Sequence, residues 1–262
     1  MKNNLSLAIF IFATVYFQST FANAETPSNP IKGALTSLDL VANLFSGKIS
    51  GKYNALDQAT FAKLSSDLFV FGVQKSSPLL TKFNNEDLVL SINAERDELA
   101  HSALWKKYTG IEQKSIVIPA IGISYGISKE TLVNISYKQY KADGASLVGG
   151  TLRNTIPIPA ASIEASIGIS HSRLINNAPL QLETTSIDLV GVYTQKEIKP
   201  YVGIGIIHGH SEFRSTENMR FSGNLIKAFS GFEYFYNQLL ISTELGLAGS
   251  QTYQNLSISY LF

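Results

Sequence analysis

The sequence predicts an all-β fold: a transmembrane, antiparallel, up-and-down β-barrel of ten strands, with twelve as the alternative, preceded by a partly helical N-terminal segment. Three observations carry that prediction. From residue 87 onward apolar and polar residues alternate over stretches long enough to cross a bilayer at a tilt. The alternation is plain in the final stretch, where Leu256, Ile258, Tyr260 and Phe262 share one parity and Asn255, Ser257 and Ser259 the other. Charged residues make up only 16% of the chain, below the about 25% usual in soluble domains, yet no run after the N-terminus is long and apolar enough for a membrane helix. A closed sheet accommodates both facts, because its lipid face takes apolar residues one at a time and closure leaves no unpaired edge.

Residues 1–24 read as a secretory signal peptide. Lys2 gives a positive start, residues 5–17 are apolar, and Ala22-Asn23-Ala24 is a small-x-small cleavage site. The apolar run is shorter than the about 20 residues a spanning helix needs. The chain has no Cys, which excludes disulfides, a lipid-anchored cysteine and a thiolate metal site. A net charge of +1 speaks against a nucleic-acid partner. Residues 25–65 form an N-terminal segment, periplasmic or plugging the lumen, too short for a core of its own. Within it, residues 36–45 show helical spacing and residues 57–64 suit a second short helix. The barrel takes residues 66–262.

Residues 68–73, Leu68-Phe69-Val70-Phe71-Gly72-Val73, are β-prone. Counted as a strand they make the total odd and demand a further partner upstream, which is the origin of the twelve-strand alternative. The ten expected strands are 87–94, 115–125, 132–140, 147–157, 162–173, 183–194, 201–213, 220–235, 239–248 and 253–262, an even number as in bacterial barrels. If the last strand ends in the periplasm, the short links 128–130, 158–160, 196–200 and 236–238 fall on that side. Residues 95–114, 175–182 and 214–218 then become extracellular loops.

Face assignments follow from parity. In the fifth strand Ile163, Ala165, Ile167 and Ile169 meet lipid; in the sixth Ile187 and Leu189 do, and in the ninth Leu239, Ile241, Thr243, Leu245 and Leu247. The opposite parity places Lys138, Arg153 and Lys227 in the lumen against Glu164, Asp188, Glu233 and Glu244. A narrow ten-stranded interior suits an ion-pair network that fills it better than a selective channel. At the outer rim His171, Arg173, Glu183, His208, His210 and Glu212 are expected to touch lipopolysaccharide head groups. A lipid-modifying hydrolase of the lipid A deacylase type would need a serine beside one of these histidines, and Ser172 and Ser211 lie on the wrong parity. Metal binding by His208, His210 and Glu212 lacks a fixed fourth ligand. The loop helix around Leu99 to Tyr108 either lies at the outer interface, anchored by Trp105 and Tyr108, or folds into the mouth as a lid. Tyr260 and Phe262 are the expected anchors at the other interface.

The closing stretch resembles the C-terminal recognition signal of outer-membrane barrels, which implies engagement of the barrel-assembly machinery through the last strand. Leu64-Ser65-Ser66-Asp67-Leu68, Ile116-Val117-Ile118-Pro119-Ala120, Gly122-Ile123-Ser124-Tyr125-Gly126-Ile127 and Leu132-Val133-Asn134-Ile135-Ser136-Tyr137 resemble a widespread family of uncharacterised Gram-negative outer-membrane barrels. That resemblance implies no catalytic residue set. The expectation is therefore an outer-membrane barrel without enzymatic activity, cofactor or metal, structural or passing a small solute, with lipid and lipopolysaccharide as partners. The alternatives are the outer-leaflet hydrolase and a soluble periplasmic β-sandwich.

Overall fold

The computed structural model describes residues 57–72, 87–109, 114–139, 146–158, 162–175, 180–194, 198–213 and 219–262. The expected signal peptide and the helix at 36–45 lie outside them. Ten strands form one closed antiparallel barrel in which each pairs with its sequence neighbours and β1 closes on β10. They are β1 (Leu88–Glu98), β2 (Ser115–Gly126), β3 (Thr131–Gln139), β4 (Ser146–Ile158), β5 (Ile163–Ile175), β6 (Leu180–Tyr193), β7 (Ile198–Phe213), β8 (Met219–Tyr236), β9 (Leu239–Ala248) and β10 (Gln251–Leu261). The closing seam runs from Val89↔Leu261 to Asp97↔Tyr253. All ten lie where the alternation puts them. The end carrying residues 127–130 and 237–238 has short turns, and the end carrying residues 99–114 has the long connection; these are the turn end and the loop end below.

Among the described residues two helices accompany the strands: α1 (Gln58–Gly72) and α2 (Ser102–Thr109), the latter between β1 and β2. Asp57 caps α1, its Oδ1 accepting the Thr60 N–H at 2.7 Å. That bond holds the exposed Asp57 carboxyl below its ordinary pKa. α1 continues past residue 64, so residues 68–72, β-prone by composition, are helical. The reason is their surroundings: Phe69, Val70 and Phe71 are wholly buried and Leu68 nearly so. An apolar run with protein on every side has no period to read, and a helix satisfies its own backbone without a strand partner. The twelve-strand alternative loses its extra strand with this correction, and the helix runs across the expected segment boundary at 65/66.

The outer wall carries a belt of exposed aliphatic residues. Ile169, Ile187, Ile206 and Ile226 are successive cross-strand partners in one row over β5 to β8, and Ile226 is 75% exposed. A contiguous apolar surface of this kind is not tolerated by water-soluble monomers. Along β10 the same parity exposes Ile258, Tyr260 and Phe262, while Leu256 and its partner Thr243 on β9 are buried.

The interior has two halves. At the loop end much of the interior is apolar, and Leu147, Leu174, Leu180, Leu182, Phe213 and Met219 pack with Phe61, Leu64, Leu68, Phe69 and Phe71 of α1, beside buried Asp97 and Gln251. Phe69 stacks on Phe221 at 5.7 Å. Gly209 lets it approach, since a Cβ there would stand 2.2 Å from the Phe69 ring. Ser211 donates to Ser65 at 2.7 Å, Ser172 to the Gly72 carbonyl, and Lys138 Nζ to the Phe71 carbonyl at 3.0 Å. The last two tie the helix C-terminus, where carbonyls lack intrahelical partners, to the wall. α1 is a plug in the loop-end half of the lumen. Beyond it lie most of the buried charges, with an apolar floor of Val89, Leu132, Phe235 and Leu240 at the turn end.

Candidate functional site: lumen network, plug hub and outer rim

The polar half is organised by register. Arg153, Gly168, Asp188, Gly205 and Lys227 are successive cross-strand partners from β4 to β8, so charge and glycine alternate around the wall. The glycines supply the room: a Cβ on Gly168 would lie 2.8 Å from Arg153 Nη2, and one on Gly205 2.2 Å from Asp188 Oδ1. Lys227 Nζ meets Asp188 Oδ2 at 2.9 Å and lies over the Phe229 ring. Arg153 Nη1 donates to Ser166 Oγ at 3.0 Å. Closer to α1, Lys138 Nζ pairs with Glu95 Oε2 at 2.9 Å. The Tyr201 hydroxyl donates toward Glu244 Oε2 at 3.2 Å and the Thr243 carbonyl at 3.1 Å. Glu233 faces Lys199 in register, and Lys199 covers the Phe235 ring.

Of the seven expected lumen charges, Lys138, Arg153, Asp188, Lys227, Glu233 and Glu244 are buried. Glu164 shares their parity but is half-buried at the turn end of β5. Glu95, Asp97 and Lys199 are further buried charges. Sequence reasoning missed them because β1 was ended at residue 94 and the seventh strand begun at 201; both strands are longer.

Asp67 of α1 is a second buried centre, also missed. Its Oδ2 accepts Trp105 Nε1–H at 2.7 Å and the His101 backbone N–H at 3.2 Å. Its Oδ1 accepts from Gln251 Nε2 at 2.6 Å and lies 2.8 Å from His101 Nδ1. One carboxylate thus joins the plug, the β1–β2 connection and the start of β10. Trp105, expected as an interface anchor, is 1% exposed: its indole N–H finds a carboxylate inside the mouth, and α2 takes the lid arrangement. Tyr108 lies on α2, its side chain outside what is described. Tyr260 and Phe262 are exposed at the turn end, their rings edge to face at 4.8 Å, with the Tyr260 hydroxyl donating to Gln238 Oε1 at 2.6 Å.

The six expected rim residues lie on the outward face of β5 to β7, and β8 adds partners to them in rows. Next to the isoleucine row stands His171, Thr185, His208, Asn224; beyond it Arg173, Glu183, His210, Ser222; then Gln181, Glu212, Arg220. His171 Nδ1 is 3.0 Å from Thr185 Oγ1, His208 Nδ1 2.8 Å from Asn224 Oδ1, and His210 Nδ1 2.7 Å from Ser222 Oγ. Arg173 pairs with Glu183 at 3.1 Å and Arg220 with Glu212 at 3.2 Å. Ser172 and Ser211 do point inward, but Ser222 supplies a hydroxyl on the outward face. The signal was available: Lys227 and Glu233 fix the inward parity of β8, and Ser222 falls on the other. Among the described residues no three His, Cys, Asp or Glu gather as a metal site.

No family model and no curated protein matches this sequence. Among solved structures, the KdgM porin in complex with disordered oligogalacturonate is similar with a TM-score of 0.38 and 9% identity, over 66% of this chain and 99% of that one. The Acinetobacter baumannii outer membrane protein Omp33 gives 0.33 and 7%, over 69% and 100%. For the loop-deleted OmpT of Vibrio cholerae the values are 0.33 and 13%, over 56% of this chain, which spans 54% of that one.

Proposed function

We infer that the protein is an integral outer-membrane barrel with a shut interior, a structural element of the membrane that passes no solute while α1 is seated. One observation carries the reading. On β6, Ile187 and Leu189 are 52% and 54% exposed, while Asp188 between them is 2% exposed and ion-paired. Hydrocarbon outside and a packed, hydrogen-bonded interior satisfy both faces of that strand at one level. Water outside would leave the belt unsolvated. A water-filled lumen would wet Asp188 and Lys227. The short turns then belong to the periplasmic side and the long connection with α2 to the outside. The rim rows fall at the outer-leaflet head groups, where Arg and His meet phosphate. The signal-like N-terminus supports export to that membrane.

The test is reconstitution of the full chain. It is expected in the outer-membrane fraction, to migrate faster unboiled than boiled on a detergent gel, and to give no steady conductance in a planar bilayer. A folded monomer that stays in solution without detergent overturns the membrane reading, and a reproducible ohmic step overturns the shut interior.

A further inference from the structure

We propose that the row Arg173–Glu183–His210–Ser222 is an esterase site facing the outer leaflet, with Ser222 the nucleophile, His210 its base and Glu183 a positioning residue. The inference rests on the membrane placement above and departs from the expectation of a barrel without chemistry, because the missing nucleophile stands on β8.

Four features point to it. The order along the row is cation, carboxylate, imidazole, hydroxyl, with adjacent members directly opposite in register, and lateral partners hold their Cβ atoms about 4.5–5.5 Å apart. The two outer links are formed, Arg173 to Glu183 at 3.1 Å and His210 to Ser222 at 2.7 Å, so the base already touches the hydroxyl it must deprotonate. Glu183 and Ser222 stand opposite His210 on the two neighbouring strands, so the carboxylate that pairs with Arg173 lies one strand spacing from the ring it would orient on turning away from that cation. The neighbouring row, His171, Thr185, His208, Asn224, has histidines but no carboxylate, so this combination is not simply the composition of the rim.

The position fits one substrate chemistry. Rows are two residues apart, and this one stands two rows beyond Ile169, Ile187, Ile206 and Ile226, about 13 Å along the strand at about 3.3 Å per residue, less in height because barrel strands tilt. That is the level where an acyl chain buried against the isoleucines reaches its ester bond. Among the described residues β8 pairs with β9 only from Lys227 onward, and beyond the Gly249 N–H on the Ile226 carbonyl the β8 edge has no strand partner on the side away from β7, Gln58 alone bonding the Arg220 carbonyl there. The N–H groups along that edge, which lie in the plane of the sheet, and Arg220 on the next row are the donors for the oxyanion.

In the reaction Ser222 Oγ bonds to the acyl carbonyl carbon as its proton passes to His210. The ester C–O bond breaks, and the departing alkoxide takes that proton from His210. Water, deprotonated by His210, then cleaves the acyl-serine, releasing the fatty acid and restoring the Ser222 hydroxyl. No cofactor or oxidant is needed. The acyl ester belongs to an acylated glucosamine lipid or to a glycerophospholipid, and the experiment separates them.

The full chain, reconstituted in phosphatidylethanolamine–phosphatidylglycerol vesicles with and without lipopolysaccharide, is treated with a fluorophosphonate probe and assayed for free fatty acid. The expected result is probe mass on the peptide containing Ser222, and fatty acid release that appears with lipopolysaccharide for the glucosamine lipid or without it for the phospholipid. Ser222→Ala abolishes both, and His210→Asn lowers release by about 10²–10⁴-fold. Glu183→Gln lowers the rate of fatty acid release at saturating lipid while leaving the amount of lipid needed for half-maximal rate unchanged, since it removes the carboxylate that orients the ring and no lipid contact. Ser230→Ala, outward on the same strand, behaves as wild type. If a wild-type barrel that is heat-modifiable and membrane-inserted takes no label and releases no acid, or Ser222→Ala keeps both, the site is refuted while the membrane reading stands. Failure to insert refutes that reading instead.

Discussion

Replacing Asp67 with Ala tests whether α1 is held in the mouth by its hub or only by its apolar face. The carboxylate accepts from three donors, of which Trp105 Nε1–H and Gln251 Nε2–H belong to residues 1% and 3% exposed. Each buried donor left without a partner costs about 1–3 kcal/mol, so the two together cost about 2–6 kcal/mol. Relief of the desolvated carboxylate returns part of this. A net loss of about 3–4 kcal/mol raises the ratio of undocked to docked plug by about 10²–10³. The chain reports on this directly, because Trp105 is its only tryptophan. In the variant, emission should shift to the red, acrylamide should quench it more strongly, and amides of α1 and α2 should exchange faster while those of β4 to β8 stay protected. Asp67→Asn, which keeps one acceptor oxygen, should fall between. A variant with wild-type emission and quenching would show that apolar packing alone seats the plug.

Three further outcomes follow from the same interior. Gly205→Ala sets a Cβ 2.2 Å from Asp188 Oδ1 and 2.7 Å from the Ile187 carbonyl; backbone cannot swing aside as a side chain does, so a loss of about 1–3 kcal/mol should lower the temperature at which the folded gel band disappears. Lys227→Met takes from buried Asp188 the ammonium at 2.9 Å, at up to about 3–5 kcal/mol, and the double variant Lys227→Met, Asp188→Leu should regain most of that loss in the same assay; a double variant as unstable as the single would sink the ion-pair account. Asp57 titrates below its ordinary value because the Thr60 amide bonds its charged form. Its capping contribution is thus present above the unfolded-state pKa and disappears as pH falls through the lower folded value; amide exchange in the first turn of α1 should rise with acid in the wild type and not in Asp57→Ala.

The strands were legible because a wall apolar outside and packed inside enforces a period of two, with Ile163, Ile167, Ile187 and Leu189 exposed on one parity. The lumen charges were legible for the complementary reason: Asp188 between two exposed aliphatics has only one place to go. The plug was legible only in part: a helix at 57–64 and a segment plugging the lumen were among the expected arrangements, but residues 68–71 are apolar without a period, and such a run reads equally as a strand or a buried helix. Its seat nevertheless left a trace. Leu147, Leu174, Leu180 and Leu182 are apolar on the inward parity, all at the loop end, where a water-filled mouth would call for polar residues. An inward apolar patch in a barrel needs an apolar occupant, and the nearest run able to supply one is the segment from Phe61 to Phe71.

That logic explains the division of the lumen. A helix can cross an apolar collar without cost to its backbone, since its peptide groups are satisfied internally, but its C-terminal carbonyls are not. The Phe71 and Gly72 carbonyls meet Lys138 Nζ and Ser172 Oγ where the collar gives way to the charged half. Lys138 serves both sides, bonding the helix end above and Glu95 beside it, and a cation is the group a helix C-terminus favours. On β3 and β4 the boundary between leucine collar and ionic lining, Lys138 opposite Leu147, therefore falls where α1 ends. Moving that boundary toward the turn end would bury the last carbonyls among leucines, and moving it toward the loop end would set charges against the ring of Phe69.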